Sequence, residues 1–179
     1  MKFKTYIMLN ILLAAILLIS CGEKKVASND LPTPQDVGQN VMTQHGTTNH
    51  VKWSSSCRWN STSDSMTLEI IAELEEGWHL YSQVLESDEG PLPTIFTFEA
   101  SSDYSAENKM AESKCENEYD ENFAMNVRFF KTKATFTQIV VRKSSAEFKL
   151  SANVNYMVCN DEMCLPPTDV PMAIMVGKK

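Results

Sequence analysis

Phe148-Lys149-Leu150-Ser151-Ala152-Asn153-Val154-Asn155-Tyr156-Met157-Val158 alternates apolar side chains with mostly polar ones over its whole length. Successive side chains of a strand point to opposite faces of a sheet. The period of two therefore predicts a half-buried strand with Phe148, Leu150, Ala152, Val154, Tyr156 and Val158 facing the core. Outward from this stretch the same period recurs. Met66, Leu68, Ile70, Ala72 and Leu74 form a second alternating run. Residues 135–141 are rich in Thr, Ile, Val and Phe, which suit a pleated surface. Residues 95–98 and 170–176 read as further strands, and 51–59 as a weaker one. No stretch holds a helical period over three turns, and a parallel sheet would need crossover helices. About seven short strands predict an all-β fold, an antiparallel sandwich.

The N-terminus is of another kind. Lys2 and Lys4 precede residues 7–19, which are apolar except for Asn10. This is an export signal, too short and wrongly flanked for a membrane span. Leu18-Ile19-Ser20-Cys21 ends it with the pattern that is cleaved before a lipid-bearing cysteine. Residues 1–20 are thus expected as a lipoprotein signal peptide, 21–48 as the lipidated Cys21 and a polar, flexible tether, and 49–179 as the folded domain. Each buried methylene of a lipid contributes ~0.8 kcal/mol, so Cys21 would hold the domain at a membrane surface, outside the cytoplasm and facing the periplasm. Cleavage removes Lys2 and Lys4 and no acid, which moves the net charge of the chain from −7 to −9. That sign disfavours a nucleic-acid partner.

Export sets the redox compartment, because thiols outside the cytoplasm tend to pair. Besides Cys21 the chain has Cys57, Cys115, Cys159 and Cys164, which allow three pairings. Cys159 and Cys164 flank Asn160-Asp161-Glu162-Met163, directly after the strand that ends at Val158. If those four residues turn, the two Cα atoms can approach to the roughly 4.4–6.8 Å that a disulfide needs. Pro166 and Pro167 then stiffen the exit. As a staple, a bond closing six residues would contribute only about 2 kcal/mol, against about 4 kcal/mol for a Cys57–Cys115 bond closing roughly 59. A short surface loop adds little stability yet stays open to exchange, which favours a redox role for Cys159 and Cys164. Asp161 and Glu162 place negative charge beside them, which disfavours a thiolate and slows attack on random disulfides.

The stretch Tyr156-Met-Val-Cys-Asn-Asp-Glu-Met-Cys-Leu-Pro-Pro-Thr-Asp-Val170 resembles the active-site segment of the N-terminal periplasmic domain of the thiol:disulfide interchange protein DsbD. Three further segments agree in order and spacing: GWHLYSQ at 77–83, GPLPTIFTFE at 90–99 and EYDENFAMNVRFFKTKATFTQ at 118–138. The resemblance implies an immunoglobulin-like sandwich. It implies a cysteine pair that passes electrons, without metal or organic cofactor, from a thioredoxin-like domain and a membrane electron conduit. The acceptors would be envelope proteins such as disulfide isomerases or cytochrome-maturation thioredoxins. By position it makes Cys164 the sulfur that joins partners and Cys159 the resolving one. Phe123 becomes the cap-loop aromatic over the pair, with Asp120 and Glu121 beside it and Tyr81 and His79 nearby. The chain is expected to work as a monomer, drawing electrons from a separate protein.

Other readings compete. Soft ligands suit Cu(I), ten methionines are many, and Met157 and Met163 bracket Cys159, so a copper-binding envelope lipoprotein is one alternative. A binding module with a staple disulfide is another. Cys57 and Cys115 lie outside the family pattern; the oxidising compartment leads us to expect a structural disulfide between them. Cys21→Ser is expected to move the protein from the membrane to the soluble fraction on fractionation of cells expressing it; unchanged membrane association would refute the lipid anchor.

Overall fold

The computed structural model describes residues 41–178 except 62, 88 and 107–109. The expected signal, Cys21 and the tether as far as residue 40 lie outside the described residues. In chain order the strands are β1 (Val41–Thr48), β2 (Val51–Trp59), β3 (Ser65–Leu74), β4 (His79–Tyr81), β5 (Ile95–Phe98), β6 (Tyr104–Ala106) and β7 (Ala111–Glu112). They continue with β8 (Glu116–Asp120), β9 (Met125–Phe130), β10 (Lys133–Arg142), β11 (Phe148–Tyr156), β12 (Val158–Cys159) and β13 (Thr168–Val176). There is no helix among the described residues. Every ladder is antiparallel, as the period of two predicts.

The strands form three sheets. The first runs β1-β2-β3-β10-β6, with β7 also on β10; the second runs β13-β11-β5; the third runs β12-β4-β9-β8. The core lies between the inward faces of the first two. Trp53, Leu68, Ile70, Phe136 and Val140 come from the first, and Leu150, Val154, Tyr156, Met172 and Ile174 from the second. Trp53 meets Tyr156 edge to face at 5.2 Å, and Phe96 meets Phe136 at 4.8 Å. The alternating run 66–74 is β3, and the six residues expected on the buried face of 148–158 are all buried.

Two expectations need correction. Residues 41–48, read as the end of the tether, form β1, paired with β2 from Val41↔Cys57 to Thr48↔Val51. Asn49 and His50 connect the strands with positive φ of 46° and 61°, the left-handed pair that a two-residue hairpin requires. His50 is held there by stacking on Trp78 at 4.0 Å and by Glu75, whose Oε2 lies 2.6 Å from Nδ1. As a polar edge strand β1 carries no apolar alternation to betray it.

The second correction is at Met157. The period assigned it to the polar face, but it is buried. The strand ends in the second sheet at Tyr156 and resumes in the third at Val158. Met157 sits at that transfer and packs into a second, smaller apolar cluster.

Phe136 has no exposed surface and touches Trp53, Phe96 and Phe130. Phe136→Ala is expected to destabilise the domain by about 3–5 kcal/mol, because the cavity cannot collapse between two sheets. Urea unfolding should show a lower midpoint at unchanged slope.

Candidate functional site

The third sheet has two differently used faces. Val158 pairs with Leu80, which pairs with Phe130, and all three side chains enter the main core. One residue along each strand the side chains point the other way. Cys159, Tyr81 and Phe129 gather there with Val127 and Met157, and Leu85, Phe123, Met125 and Cys164 pack around them. The inner face thus fixes the sheet, and the outer face carries the cysteines.

Cys159 and Cys164 are joined by a disulfide with their Cα atoms 4.0 Å apart. The hairpin between them is built on Asn160. Its N–H donates to the Met163 carbonyl (2.9 Å), and its Oδ1 accepts from the N–H groups of Glu162 (2.9 Å) and Met163 (2.8 Å). An asparagine that bonds the backbone two and three residues on favours such a turn. Leu165 N–H donates to the Val158 carbonyl at 2.9 Å and closes the hairpin. Cys159 has no exposed surface, whereas Cys164 is half-buried. The sulfurs are therefore unequal, and Cys164 is the more accessible to a partner.

Over them lies the turn 121–124 between β8 and β9. Asp120 anchors its start: Oδ1 accepts from the Asn122 N–H at 2.8 Å, and Oδ2 from the Tyr81 hydroxyl at 2.6 Å. Asn122 Nδ2 donates to the Asn160 carbonyl at 3.2 Å and ties the turn to the cysteine hairpin. Phe123 meets Tyr81 edge to face at 6.0 Å, in the cluster that holds Cys164. Ala124 ends the turn at φ 53°. Gly90 lies against the side chain of the next residue, Met125, and its φ of 144° is a backbone conformation that favours glycine.

The polar members form one cluster. His79 Nε2 is 3.0 Å from the Tyr81 hydroxyl and 3.4 Å from Asp120 Oδ2. Burial lowers the His79 imidazole below its ordinary value, against the pull of Asp120. Burial, then the bond to Asp120, pushes the Tyr81 phenol up. For Asp120 burial acts upward, but the hydrogen bonds from Tyr81 and Asn122, with His79 close by, outweigh it and hold the carboxyl below its usual value.

Of the residues expected at the site, the fold brings together Cys159, Cys164, Phe123, Asp120, Tyr81 and His79. Glu121 is exposed on the cap turn. Sequence reasoning missed Asn122 and Met125; it placed Asn160 only in the turn between the cysteines and Met157 only as a candidate Cu(I) ligand. The expected Cys57–Cys115 disulfide is absent, and both thiols are free. Cys57 is on β2 in the first sheet, flanked by Val41 and Leu68, and burial pushes its thiol up to about 12. Cys115 stands at the head of β8, where Arg128 Nε donates to its Sγ at 3.2 Å. Cys57 thus lies within a strand and Cys115 in the connection between β7 and β8, each with other partners. Among the described residues no group of three or more His, Cys, Asp or Glu side chains could hold a metal ion. A cavity of about 540 Å³ opens between β5 and β6, and its lining includes neither Cys159 nor Cys164.

The family profile "Thiol:disulfide interchange protein DsbD, N-terminal" matches residues 47–173. The chain belongs to the DsbD N-terminal family. The N-terminal periplasmic domain of ScsB from Proteus mirabilis superposes with a TM-score of 0.57 at 14% identity, over 78% of this chain and 53% of that one. This chain therefore spans about half of that ScsB domain, and the likeness shows the fold. The DsbD N-terminal domain of Neisseria meningitidis, in its reduced form, gives 0.45 at 15% identity, over 65% of this chain and 81% of that one. No curated protein sequence is significantly similar to the chain.

A carboxyl held below its unfolded value adds stability that is complete above the unfolded value, about 3.9 for aspartate, and is lost as pH falls through the folded one. Acid unfolding should therefore proceed with proton uptake at Asp120. Asp120→Asn is expected to flatten the acid limb of the stability–pH curve below about pH 4, measured by urea midpoints from pH 2.5 to 7.

Proposed function

We propose that the protein performs thiol:disulfide interchange in the cell envelope, held at a membrane by Cys21, with Cys159 and Cys164 as the exchanging pair. The observation that carries the reading is the asymmetric disulfide under an aromatic cap. Cys159 is wholly buried, Cys164 is partly reachable, and Phe123 packs in the cluster around both. Membership in a family described by thiol:disulfide interchange supports it. The ScsB domain on which the chain superposes is periplasmic, which supports an envelope location.

In this reading a thiolate of a thioredoxin-like partner attacks Cys164 Sγ in line with the disulfide. The Cys159–Cys164 bond breaks, and Cys159 Sγ leaves with the electron pair. The partner's second thiolate then attacks the mixed disulfide. The partner ends oxidised and the pair reduced, and the reverse sequence delivers the electrons to an acceptor disulfide. Cap turn 121–124 acts as a lid that excludes small thiols and yields to a docking partner.

One observation favours a second reading, Cu(I) binding. Met157 and Met125 contribute thioethers to the cluster that holds the two cysteines, and soft sulfur donors select Cu(I). This would need the reduced pair. Titration of the reduced protein with Cu(I), read by mass spectrometry with and without Met157→Leu, separates the two.

Cys159→Ser should accumulate a mixed disulfide between Cys164 and a thioredoxin-like envelope protein, whereas Cys164→Ser should trap nothing. Phe123→Ala should speed reduction of the disulfide by glutathione at least tenfold while lowering the urea midpoint little. If no adduct ever forms on Cys164, the bond is a staple in a binding module.

A further inference from the structure

Opening the disulfide leaves a charge in an unfavourable place. Cys159 has no exposed surface and lies among Tyr81, Val127, Phe129 and Met157. A thiolate expelled there is poorly solvated, and burial disfavours the charged form. The departing sulfur therefore needs a proton as the bond breaks, and must lose one before it can attack again.

The fold puts one group suited to this beside it. Cys159 and His79 are directly paired across β12 and β4. Residues opposite one another in an antiparallel pair share a face, with Cβ atoms about 4.5–5.5 Å apart. His79 also lies two residues before Tyr81, whose ring belongs to the cysteine cluster, while Leu80 between them enters the main core. The imidazole thus stands on the cysteine face.

Its hydrogen bonds define its tautomer. The Tyr81 hydroxyl has one proton and gives it to Asp120 Oδ2 at 2.6 Å. Its oxygen can then only accept from His79 Nε2 at 3.0 Å. Nε2 carries the hydrogen, and Nδ1 keeps the lone pair of a base. The same partners orient the ring, as carboxylate and hydroxyl groups do for a general base.

The other groups facing His79 serve less well. Asp120 is ionised and fully engaged as an acceptor. Tyr81 is pushed too high to give up its proton near neutrality. Asp161, from the cysteine hairpin, and Lys131, just beyond β9, act on His79 through their charges with opposite signs. Phe129 packs on the ring at 4.9 Å. The other two histidines are elsewhere, His45 on β1 and His50 at its turn.

We propose that His79 is the proton carrier of Cys159, giving a proton to its sulfur when the disulfide opens and taking it back when the disulfide closes. The inference rests on the interchange reading. On opening, the partner thiolate bonds to Cys164 Sγ, the bond to Cys159 breaks, and Cys159 Sγ takes the electron pair and a proton from the His79 imidazolium. On closing, neutral His79 takes the thiol proton. Cys159 Sγ then attacks Cys164 Sγ of the mixed disulfide, and the partner leaves as its thiolate. His79 exchanges the proton with solvent. Burial keeps His79 mostly neutral at pH 7, the form needed for closing.

The test uses the reduced full chain in detergent, glutathione disulfide as the probe, acid quenching and peptide mapping. Mapping separates the Cys164 adduct from any on Cys57 or Cys115. The readout is the lifetime of the Cys164–glutathione adduct, which ends when Cys159 closes the bond. His79→Gln should lengthen that lifetime about 100-fold at pH 7, with the deficit shrinking to about twofold near pH 9.5 as hydroxide takes over the proton. Asp120→Asn removes a charge that raises His79, so the midpoint of the closing rate against pH should move to lower pH. An unchanged lifetime in His79→Gln, a deficit equal at all pH values, or an Asp120→Asn midpoint that stays or rises would overturn the role of His79. If the unsubstituted protein forms no Cys164 adduct at all, the interchange reading itself fails, and that outcome is distinct from the others.

Discussion

The chain from Phe148 to Cys159 serves two sheets, and the placement of the cysteine pair depends on how it passes between them. Up to Tyr156 it is the middle strand of β13-β11-β5, with Leu150, Val154 and Tyr156 locked into the core opposite Trp53. After Met157 it is the edge strand of β12-β4-β9-β8. The alternation of faces is kept across the transfer, so Val158 still points inward and Cys159 must point outward. Sliding the register by one residue would bury the hairpin side of the pair and expose Val158. A strand locked into the main core thereby sets the position and facing of one sulfur.

The cap inherits that rigidity through a short chain of hydrogen bonds. Tyr81 lies on β4, which is registered to β12 through Leu80↔Val158. Its hydroxyl holds Asp120, Asp120 holds the Asn122 N–H, and the Asn122 side chain holds the Asn160 carbonyl in the cysteine hairpin. The loop of bonds closes on itself from sheet to cap to hairpin. The last link is the weakest, since Asn122 is exposed and its bond is 3.2 Å long. The turn is thus firmly held at its root by Asp120 and lightly held at its tip, which is what the lid proposed for Phe123 would require.

The long strands were legible because one of their faces is buried and the other wet. Residues 51–59 and 95–98 match β2 and β5 end to end, and 66–74, 135–141 and 170–176 fall within β3, β10 and β13. The short strands of the third sheet were not legible as strands. β4 and β12 have three and two residues, too few to show a period, and their sheet is apolar on both faces. His79-Leu80-Tyr81 reads as a cluster of aromatics until the sheet sorts them into core and site. β1 escaped for the opposite reason, having no apolar residue from Thr43 to Thr48. The position of Phe123, Asp120 and Tyr81 around the cysteines came from family likeness, because nothing in the local pattern links residues 81, 120 and 159. Cys57 and Cys115 show the limit of compartment arguments: an oxidising environment favours pairing only where the fold lets two sulfurs meet.

The inequality of the two sulfurs follows from the same architecture, and in the proposed interchange it would set the direction of exchange. A disulfide whose ends were equally exposed could be attacked at either sulfur, and half of the encounters would leave the partner on the wrong one. Here Cys159 is wholly buried and Cys164 half-buried, so in the proposed interchange the second sulfur is the one that a partner would attack in line. The buried sulfur is covered by the sheet itself, and Phe123 of the turn 121–124 packs in the cluster that holds the other. Burial of Cys159 brings an electrostatic cost each time the bond opens, and the polar cluster of His79, Tyr81 and Asp120 stands on that same face of the sheet. An apolar pocket around one sulfur and a hydrogen-bonded imidazole across the ladder from it are thus two consequences of a single placement, the outward turn of Cys159 after an inward Val158.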